Sequence, residues 1–308
     1  MATSETSVTA VPVARPSRRQ RIRENLSILW QSKVAVVGLI IVLFWVFAAI
    51  FAPLITKFDP NTEDAQARNQ GPSAEHWLGT DHKGRDLWSR VAYGGQIVLV
   101  KWPITDTFWI PGGVAIWGVF IALAVGSTLG LLSGYYGGWV DEVVMRLLDA
   151  MMAFPTILLY LIIIAAVGAS ATNVVIAIMI AGSPGIARLV RSLTLDIRTR
   201  DYIAAAQTRG EPGLRMMFVE ILPNARGPII IDAMLRVGYA IFSIGTLGFL
   251  GLGLPPPNPD WGSMVQAGHH HIFTNAWGVI WPTVAISSLV VGLNLLADGL
   301  REESLRYQ

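Results

Sequence analysis

Six long apolar segments constrain the fold of this chain more than any other feature. They cover residues 34–55, 113–134, 145–167, 174–195, 228–253 and 279–297. A helix needs about 20 mostly apolar residues to cross the hydrocarbon core of a bilayer. Only 14% of the 308 residues are charged, against roughly 25% in a soluble domain. The sequence therefore predicts an all-α integral membrane protein with six transmembrane helices.

The residues before the first apolar segment are polar and strongly basic. Their charged side chains include Arg15, Arg18, Arg19, Arg21, Arg23 and Lys33. A signal peptide would continue with an apolar stretch of roughly 7–15 residues and a cleavage site. Segment 34–55 is longer, so we interpret it as a retained first span. The predicted organisation is an N-terminal arm (1–33), this span, an outer loop (56–112), a core (113–300) and a tail (301–308).

Lys and Arg residues are distributed unevenly between the connections. If the N-terminus is cytoplasmic, the inner side holds the basic arm and a group of arginines around the fourth and fifth segments. These are Arg188, Arg191, Arg198, Arg200, Arg209, Arg215 and Arg226. The outer connections 168–173 and 255–277 contain no Lys or Arg. Because basic residues accumulate in cytoplasmic loops, we predict a plasma-membrane protein with both termini inside. A basic arm beside a membrane span is explained by its position at the bilayer, so we expect no nucleic-acid partner.

Two kinds of residue inside the apolar segments are unusual. Gly126, Gly130 and Gly134 recur at every fourth position of the second segment, which lines one helix face with glycine and permits close helix packing. Ionisable residues within spans are candidates for function. They are Asp149, Asp232, Arg236 and Asp298. Asp232 and Arg236 are four residues apart, so one helix turn would bring them together as an ion pair. Structural and functional roles for this pair both stay open.

The polar stretch DYIAAAQTRGEPGLRMMFVEILPN (201–224) lies between the fourth and fifth apolar segments. Residues 196–209 contain no helix breaker, Gly210 is a typical helix stop, and Pro212 suits the start of a second helix. An apolar stripe with helical spacing follows, up to Pro223. It consists of Leu214, Met217, Phe218, Ile221 and Leu222. We predict two short cytoplasmic helices that dock on another protein, since a helix lying on lipid would not need the sharp turn.

This stretch resembles the cytoplasmic coupling loop of ABC-transporter permeases, whose pattern is Glu-Ala-Ala, three residues, Gly, and a run ending in Leu-Pro. Ala204 replaces the usual Glu, and Glu220 stands where this branch commonly has His. The resemblance implies a coupling loop over 196–226, with these site residues: Tyr202, Ala204, Ala205, Ala206, Gly210, Leu214, Phe218, Ile221, Leu222, Pro223 and Asn224.

Further motifs along the chain resemble the second permease of the dipeptide, oligopeptide and nickel importers. They are LGTDHKGRD (78–86), GYYGGWVDE (134–142), ARLVRS (187–192), LGFLGLG (247–253), PDWGSM (259–264) and NLLADGLRE (294–302). The family usually continues directly into its second span, so KWPITDTFWIPGG (101–113) is extra length on the outer side. The resemblance implies a type I ABC importer permease fold and half of a translocation pathway, for peptides or alternatively for oligosaccharides or nickel chelates.

The same resemblance implies partners: a second homologous permease, two cytoplasmic ATPases and an extracytoplasmic solute-binding protein. The chain has no G-x-x-x-x-G-K-[ST] loop and cannot cradle ATP phosphates itself, so we expect a non-catalytic subunit without a cofactor. A membrane enzyme would need a converging metal or acid–base group. The only candidate, His269 to His271, consists of neighbours that point about 100° apart on a helix, and we predict no metal site. A secondary transporter or channel is the other alternative, but neither needs a coupling loop.

Overall fold

The described part of the chain, residues 32–103, 109–254 and 258–306 of a computed structural model, is mainly helical. Its helices are α1 (Lys33–Ile50), α2 (Ala52–Ile55), α3 (Leu87–Gly95), α4 (Val114–Tyr136), α5 (Gly138–Met152), α6 (Thr156–Val167), α7 (Ala171–Ile197), α8 (Asp201–Thr208), α9 (Gly213–Phe249), α10 (Trp261–His269) and α11 (Trp277–Arg306). Short non-α turns occupy Ala65–Ala67, Gln96–Val100 and Met216–Ile221.

Helices α1, α4, α7, α9 and α11 are each long and apolar enough to cross a membrane. The predicted third span, 145–167, is not one helix, because α5 and α6 meet at a break and are bent by 87° relative to each other. Pro155 immediately precedes α6. Proline has no N–H to continue a helix, and its ring disfavours the helical conformation of the residue before it. The prediction of a continuous span was therefore wrong. The described residues form five continuous spans, or six if α5 and α6 together make one.

Several other boundaries differ from the predicted ones. The first span is interrupted at Phe51, between α1 and α2. Helix α9 begins 15 residues before the predicted start of the fifth span at 228. Helix α11 runs into the predicted tail and ends at Arg306. The basic arm before residue 32 lies outside the described residues.

The extra outer segment 101–113 forms the one two-stranded sheet in the described residues. Strand β1 (Lys101–Pro103) pairs antiparallel with β2 (Trp109–Pro111), with Trp102 opposite Ile110. Residues 104–108 lie outside the described part. The Trp102 ring lies 5.8 Å from that of Trp117 in α4, and the Trp117 indole N–H donates to the carbonyl of Pro111 at 2.8 Å. These contacts hold the hairpin against the start of α4.

The pair α4 and α7 is packed backbone against backbone. A Cβ atom added to Gly126 would lie 2.7 Å from the carbonyl oxygen of Ser183, and one on Gly130 would lie 2.5 Å from that of Ala187. At Gly134 the nearest atom would be the Thr194 Cβ, at 2.7 Å. Real Cβ contacts are never so short, so α4 needs glycine at each of these positions for α7 to lie where it does.

A second close helix pair was not anticipated from the sequence. Helix α1 packs on α11, where a Cβ on Gly38 would lie 2.5 Å from the carbonyl oxygen of Gly292. At a second contact, a Cβ on Gly299 would lie 2.5 Å from the Ala35 Cβ. Gly292 and Gly299 are two helix turns apart, a spacing that indicates a helix face suited to close packing. Nothing in the sequence identified α1 as the helix that packs there.

The outer loop before α3 is fastened to the C-terminal half of the chain. The Asn275 side-chain amide donates to the carbonyl of Thr80 at 2.8 Å, and the buried Trp261 indole donates to that of Val91 at 2.8 Å. Trp261 also packs edge-on against Trp45 of α1. The outer loop, α1 and α10 therefore form one connected outer layer.

Candidate coupling segment and membrane cavity

The coupling segment, residues 196–226, begins where α7 ends. An uninterrupted helix over 196–209 was predicted, but α7 stops at Ile197 and α8 starts at Asp201. The Arg198 guanidinium donates to the carbonyl of Gly134 at 2.8 Å, at the end of α4. The Thr199 hydroxyl donates to the carbonyl of Asp196 at 2.8 Å. The Thr199 bond is a local alternative to the helical hydrogen bonds, and the Arg198 bond ties this turn to α4, so the prediction failed at residues 198–200.

The turn after α8 depends on Gly210. Its φ is +74°, a conformation that disfavours side chains, and a Cβ there would meet no atom within 4 Å. The requirement for glycine is thus one of backbone conformation and not of space. Glu211 lies within the turn and forms an ion pair with Arg215, the Nε–Oε2 distance being 3.2 Å. Pro212 then precedes the first residue of α9.

Pro223 does not end a second short helix, contrary to the sequence-based prediction. The chain continues through it as a single helix, α9, from Gly213 to Phe249. A π-turn at Met216–Ile221 precedes the proline, and the Leu222 N–H donates to the carbonyl of Met217, five residues back. Proline is accepted in the first turn of an α-helical stretch, where its missing N–H is not required. The wider turn supplies such a start inside α9.

The predicted apolar stripe divides between the interior and the surface. Met217 and Ile221 are fully buried and Leu222 is half-buried. The buried residues belong to one cluster that also contains side chains of α4, α7 and α8. Its members are Ala122, Leu131, Ile186, Val190, Ile197, Ile203, Ala206, Met216, Met217, Ile221 and Ala225. The coupling segment is therefore built into the ends of α4 and α7 and does not lie loosely beside them.

Six of the predicted site residues are exposed, and we call the surface that they form the docking face. It consists of Tyr202, Ala204, Ala205, Gly210, Leu214 and Phe218. Leu214 is 63% exposed, Phe218 43% and Tyr202 39%. Pro223 and Asn224 are also exposed, and the Asn224 amide donates to the Glu220 carbonyl at 2.6 Å. Large apolar side chains next to small alanines suit contact with another protein.

The ionisable residues of the spans occupy three environments. Arg236 forms an ion pair with Asp232 on α9, and about a quarter of each side chain is exposed. Arg236 also donates from Nη1 to the carbonyl of Gly182 on α7 at 3.3 Å. Asp149 on α5 pairs with Arg188 on α7. Asp298 is exposed on α11.

One ion pair, which links α5 to α7, was not predicted from the sequence. Asp141 at the start of α5 accepts two hydrogen bonds from Arg191 of α7 and one from the hydroxyl of Ser133 in α4. Both charged residues lie within the quoted motifs GYYGGWVDE and ARLVRS. The two motifs are about 50 residues apart, and only the close packing of α4 on α7 brings them together.

A cavity of about 730 Å³ lies between α4, α7, α9 and the bend that joins α5 to α6. The break at Pro155 borders this space, since Met152, Phe154 and Thr156 around it belong to the lining. Most of the lining is apolar, and the polar side chains come chiefly from α6 and α9. These are Thr156, Tyr160, Arg236, Tyr239, Ser243 and Thr246. Its size is typical of pockets that hold small molecules.

The three adjacent histidines lie at the end of α10 and just after it. His271 stacks on His82 of the outer loop, with ring centroids 5.0 Å apart. The His269 and His270 rings contact each other edge-on. No group of three His, Cys, Asp or Glu side chains suited to a metal ion occurs among the described residues.

Comparison with known proteins agrees with the motifs and the fold. Residues 126–302 match the family described as binding-protein-dependent transport system inner membrane component, and residues 21–72 match the N-terminal TM domain of oligopeptide transport permease C. The chain is 42% identical to the dipeptide transport system permease protein DppC of Alkalihalophilus pseudofirmus, over 91% of this chain and 88% of the relative.

Two further relatives extend over nearly the whole chain. The glutathione transport system permease protein GsiD of Pectobacterium atrosepticum is 37% identical over 95% of this chain and 93% of its own length. The probable D,D-dipeptide transport system permease protein DdpC of Escherichia coli is 36% identical over 94% and 93%. The resemblance seen in the motifs is confirmed, and the chain belongs to the inner membrane permease components of binding-protein-dependent transport systems.

Proposed function

We propose that this permease imports short peptides. The observation that carries the proposal is the set of full-length relatives described as dipeptide, D,D-dipeptide and glutathione permeases. Glutathione is itself a tripeptide. The mostly apolar cavity with a few polar groups supports the same conclusion, since peptides carry varied side chains on a constant polar backbone.

The proposed transporter contains a second homologous permease, two cytoplasmic ATPases and an extracytoplasmic solute-binding protein. The ATPases bind ATP and Mg²⁺, and this chain needs no cofactor. The docking face supports an ATPase contact, because it combines exposed large apolar side chains with Ala204 and Ala205, which allow a close approach. Glu211 is engaged with Arg215 within the chain, so the contact rests mainly on packing.

Buried neighbours of the docking face supply a route for movement. On α8, Ala205 is exposed while Ala206 and Ile203 are buried in the cluster shared with α4 and α7. A displacement of α8 by an ATPase would therefore press on the ends of both spans. Closely packed helices move as units and not by local deformation, so the whole α4–α7 pair would tilt and change access to the cavity.

A transport assay tests the proposed function directly. The permease, its partner permease, the ATPases and the binding protein encoded with them are reconstituted in vesicles, and uptake of a labelled dipeptide, an oligosaccharide and a nickel chelate is compared. We expect ATP-dependent uptake of the dipeptide alone. Uptake of either other cargo in preference to dipeptide would overturn the peptide assignment. Uptake without ATP would indicate a secondary transporter or channel.

The proposed orientation places the docking face and both termini in the cytoplasm. The chain contains no Cys, so single cysteines can report it. Ser73→Cys in the outer loop should react with a membrane-impermeant thiol reagent in intact cells, and Ser304→Cys near the end of α11 should react only after the membrane is opened. Labelling in the reverse order would contradict the orientation.

A further inference from the structure

Arg236 is the single charged side chain among the described residues that line the membrane cavity. Its carboxylate partner, Asp232, is not part of the lining. The ion pair is thus oriented, with the guanidinium towards the cavity and the carboxylate behind it. Ionisable groups within membrane-spanning helices often mark functional sites, and here the guanidinium is the part of the Asp232–Arg236 pair that lines the cavity.

The guanidinium retains donors for a ligand. Arginine has five N–H groups in a planar fork. Nε donates to Asp232, and Nη1 donates to the Gly182 carbonyl over a long 3.3 Å. On the α7 side the fork lies closely against Gly185, where a Cβ would be only 3.0 Å from Nη2. The group is held on these sides, and the rest of it lines the cavity.

Hydroxyl groups and an aromatic ring lie on the same wall. Tyr160 of α6 and Ser243 of α9 both line the cavity, and the Ser243 hydroxyl donates to the carbonyl of Tyr239 at 2.9 Å. Tyr239 lies three residues after Arg236, nearly one helix turn further along α9. It is 65% exposed. Polar groups are therefore concentrated along one strip of α9, while the facing surfaces of α4 and α7 are apolar.

We propose that Arg236 binds the C-terminal carboxylate of a peptide in this cavity. The inference rests on the peptide-import function proposed above and adds the part of the cargo that the permease itself recognises. An arginine fork matches a carboxylate with two parallel hydrogen bonds, and every linear peptide with a free C-terminus has this group whatever its side chains are. Asp232 and the Gly182 carbonyl are positioning groups. An uncharged oligosaccharide offers Arg236 hydroxyl acceptors but no carboxylate for a charge-assisted bidentate contact.

Cysteine protection in the complex of the two permeases and two ATPases, with the binding protein left out, tests the proposal without the selectivity of that protein. Thr246 lines the cavity on α9, and Thr246→Cys gives a single thiol in a chain without Cys. Its rate of modification by a small methanethiosulfonate reagent is measured with increasing alanyl-alanine and with increasing alanyl-alanine amide. We expect the acid to protect the thiol at about 10- to 100-fold lower concentration than the amide, as loss of a charge-assisted bidentate contact implies.

Variants of the same reporter locate the effect at Arg236. Arg236→Gln should make the acid protect no better than the amide, and Arg236→Lys should retain part of the preference. A control thiol at Ser304→Cys is far from the cavity residues along the chain. Its rate of modification should not change with either peptide. Equal protection by acid and amide in the parent reporter would overturn the proposal, and this comparison does not depend on how well the Arg236 variants fold.

The outcome separates this inference from the proposed function. If dipeptide uptake is normal but acid and amide protect equally, the permease imports peptides without using Arg236 in this way. If the transporter fails to take up dipeptide at all, the peptide assignment fails first. Persistence of the acid preference in Arg236→Gln would likewise exclude Arg236 as the carboxylate-binding group.

Discussion

Gly130→Leu should abolish folded protein, because it would force α4 and α7 apart. Even the Cβ of the new side chain would lie 2.5 Å from the Ala187 carbonyl oxygen and 2.8 Å from the Val190 Cβ. The carbonyl belongs to a helix backbone and cannot swing aside. A single overpacked methyl group costs about 1–3 kcal/mol, and leucine adds three more carbons. The measurement is the yield of monodisperse permease after detergent extraction, with the melting temperature of any protein recovered.

A matched glycine on another helix controls for the loss of glycine itself. A Cβ on Gly238 of α9 would find its nearest neighbour at 3.8 Å, an ordinary contact. Gly238→Ala should therefore be neutral, or stabilising by up to about 1 kcal/mol because alanine favours the helix. Gly130→Ala should lower the melting temperature in the same assay. Equal melting temperatures for the two alanine variants would show that α4 and α7 are not packed as closely as described.

Ala205→Trp should abolish transport while leaving the permease folded. Ala205 is exposed in this chain, so a large side chain there meets solvent until an ATPase approaches. At a fitted contact, overpacking costs roughly 1–3 kcal/mol, or about 5- to 150-fold in association. We expect normal membrane insertion and melting, loss of the ATPase during purification, and loss of peptide uptake.

The neighbouring alanine provides the contrast for that result. Ala206 is buried in the cluster with Ile203 and Met216, so Ala206→Trp should destabilise the permease itself, whether or not the ATPase is present. Gly210→Val should also abolish transport, as Ala205→Trp does. Valine strongly disfavours the φ of +74° that the turn requires at this position. If Ala205→Trp and Gly210→Val both retain the ATPase and transport normally, residues 196–226 are not the coupling element.

Three prolines show how far local sequence rules reach in this chain. Pro184 stays inside α7. It has no N–H to donate to the Ile180 carbonyl, and that carbonyl accepts instead from the Ser183 hydroxyl at 3.3 Å. Pro155 breaks a span, and Pro223 is absorbed by a π-turn. All three lie in apolar or amphipathic surroundings. The sequence alone did not distinguish them, because the outcome depends on which neighbouring group takes the freed carbonyl.

Features that depend on short sequence separations were more predictable. The apolar length of the spans indicated a helical membrane protein, and the four-residue spacing of Asp232 and Arg236 placed them on one helix face. The positive φ of Gly210 follows from its place after α8. Contacts between distant segments were not predictable in this way. The Asp141–Arg191 pair, the α1–α11 packing and the cavity all require the tertiary arrangement of helices that the sequence does not display.

The continuity of α9 through Pro223 has a mechanical consequence. A helix of 37 residues is a rod of about 55 Å, and it joins the docking face at one end to the outer layer at the other. A tilt of about 10° around its midpoint would move each end by about 5 Å in opposite directions, given that length. Arg236 lies 23 residues after the first residue of the rod, close to where such a pivot would fall. Cargo held there would stay nearly still while the two ends of α9 move in opposite directions, so one tilt would open one side of the cavity as it closes the other.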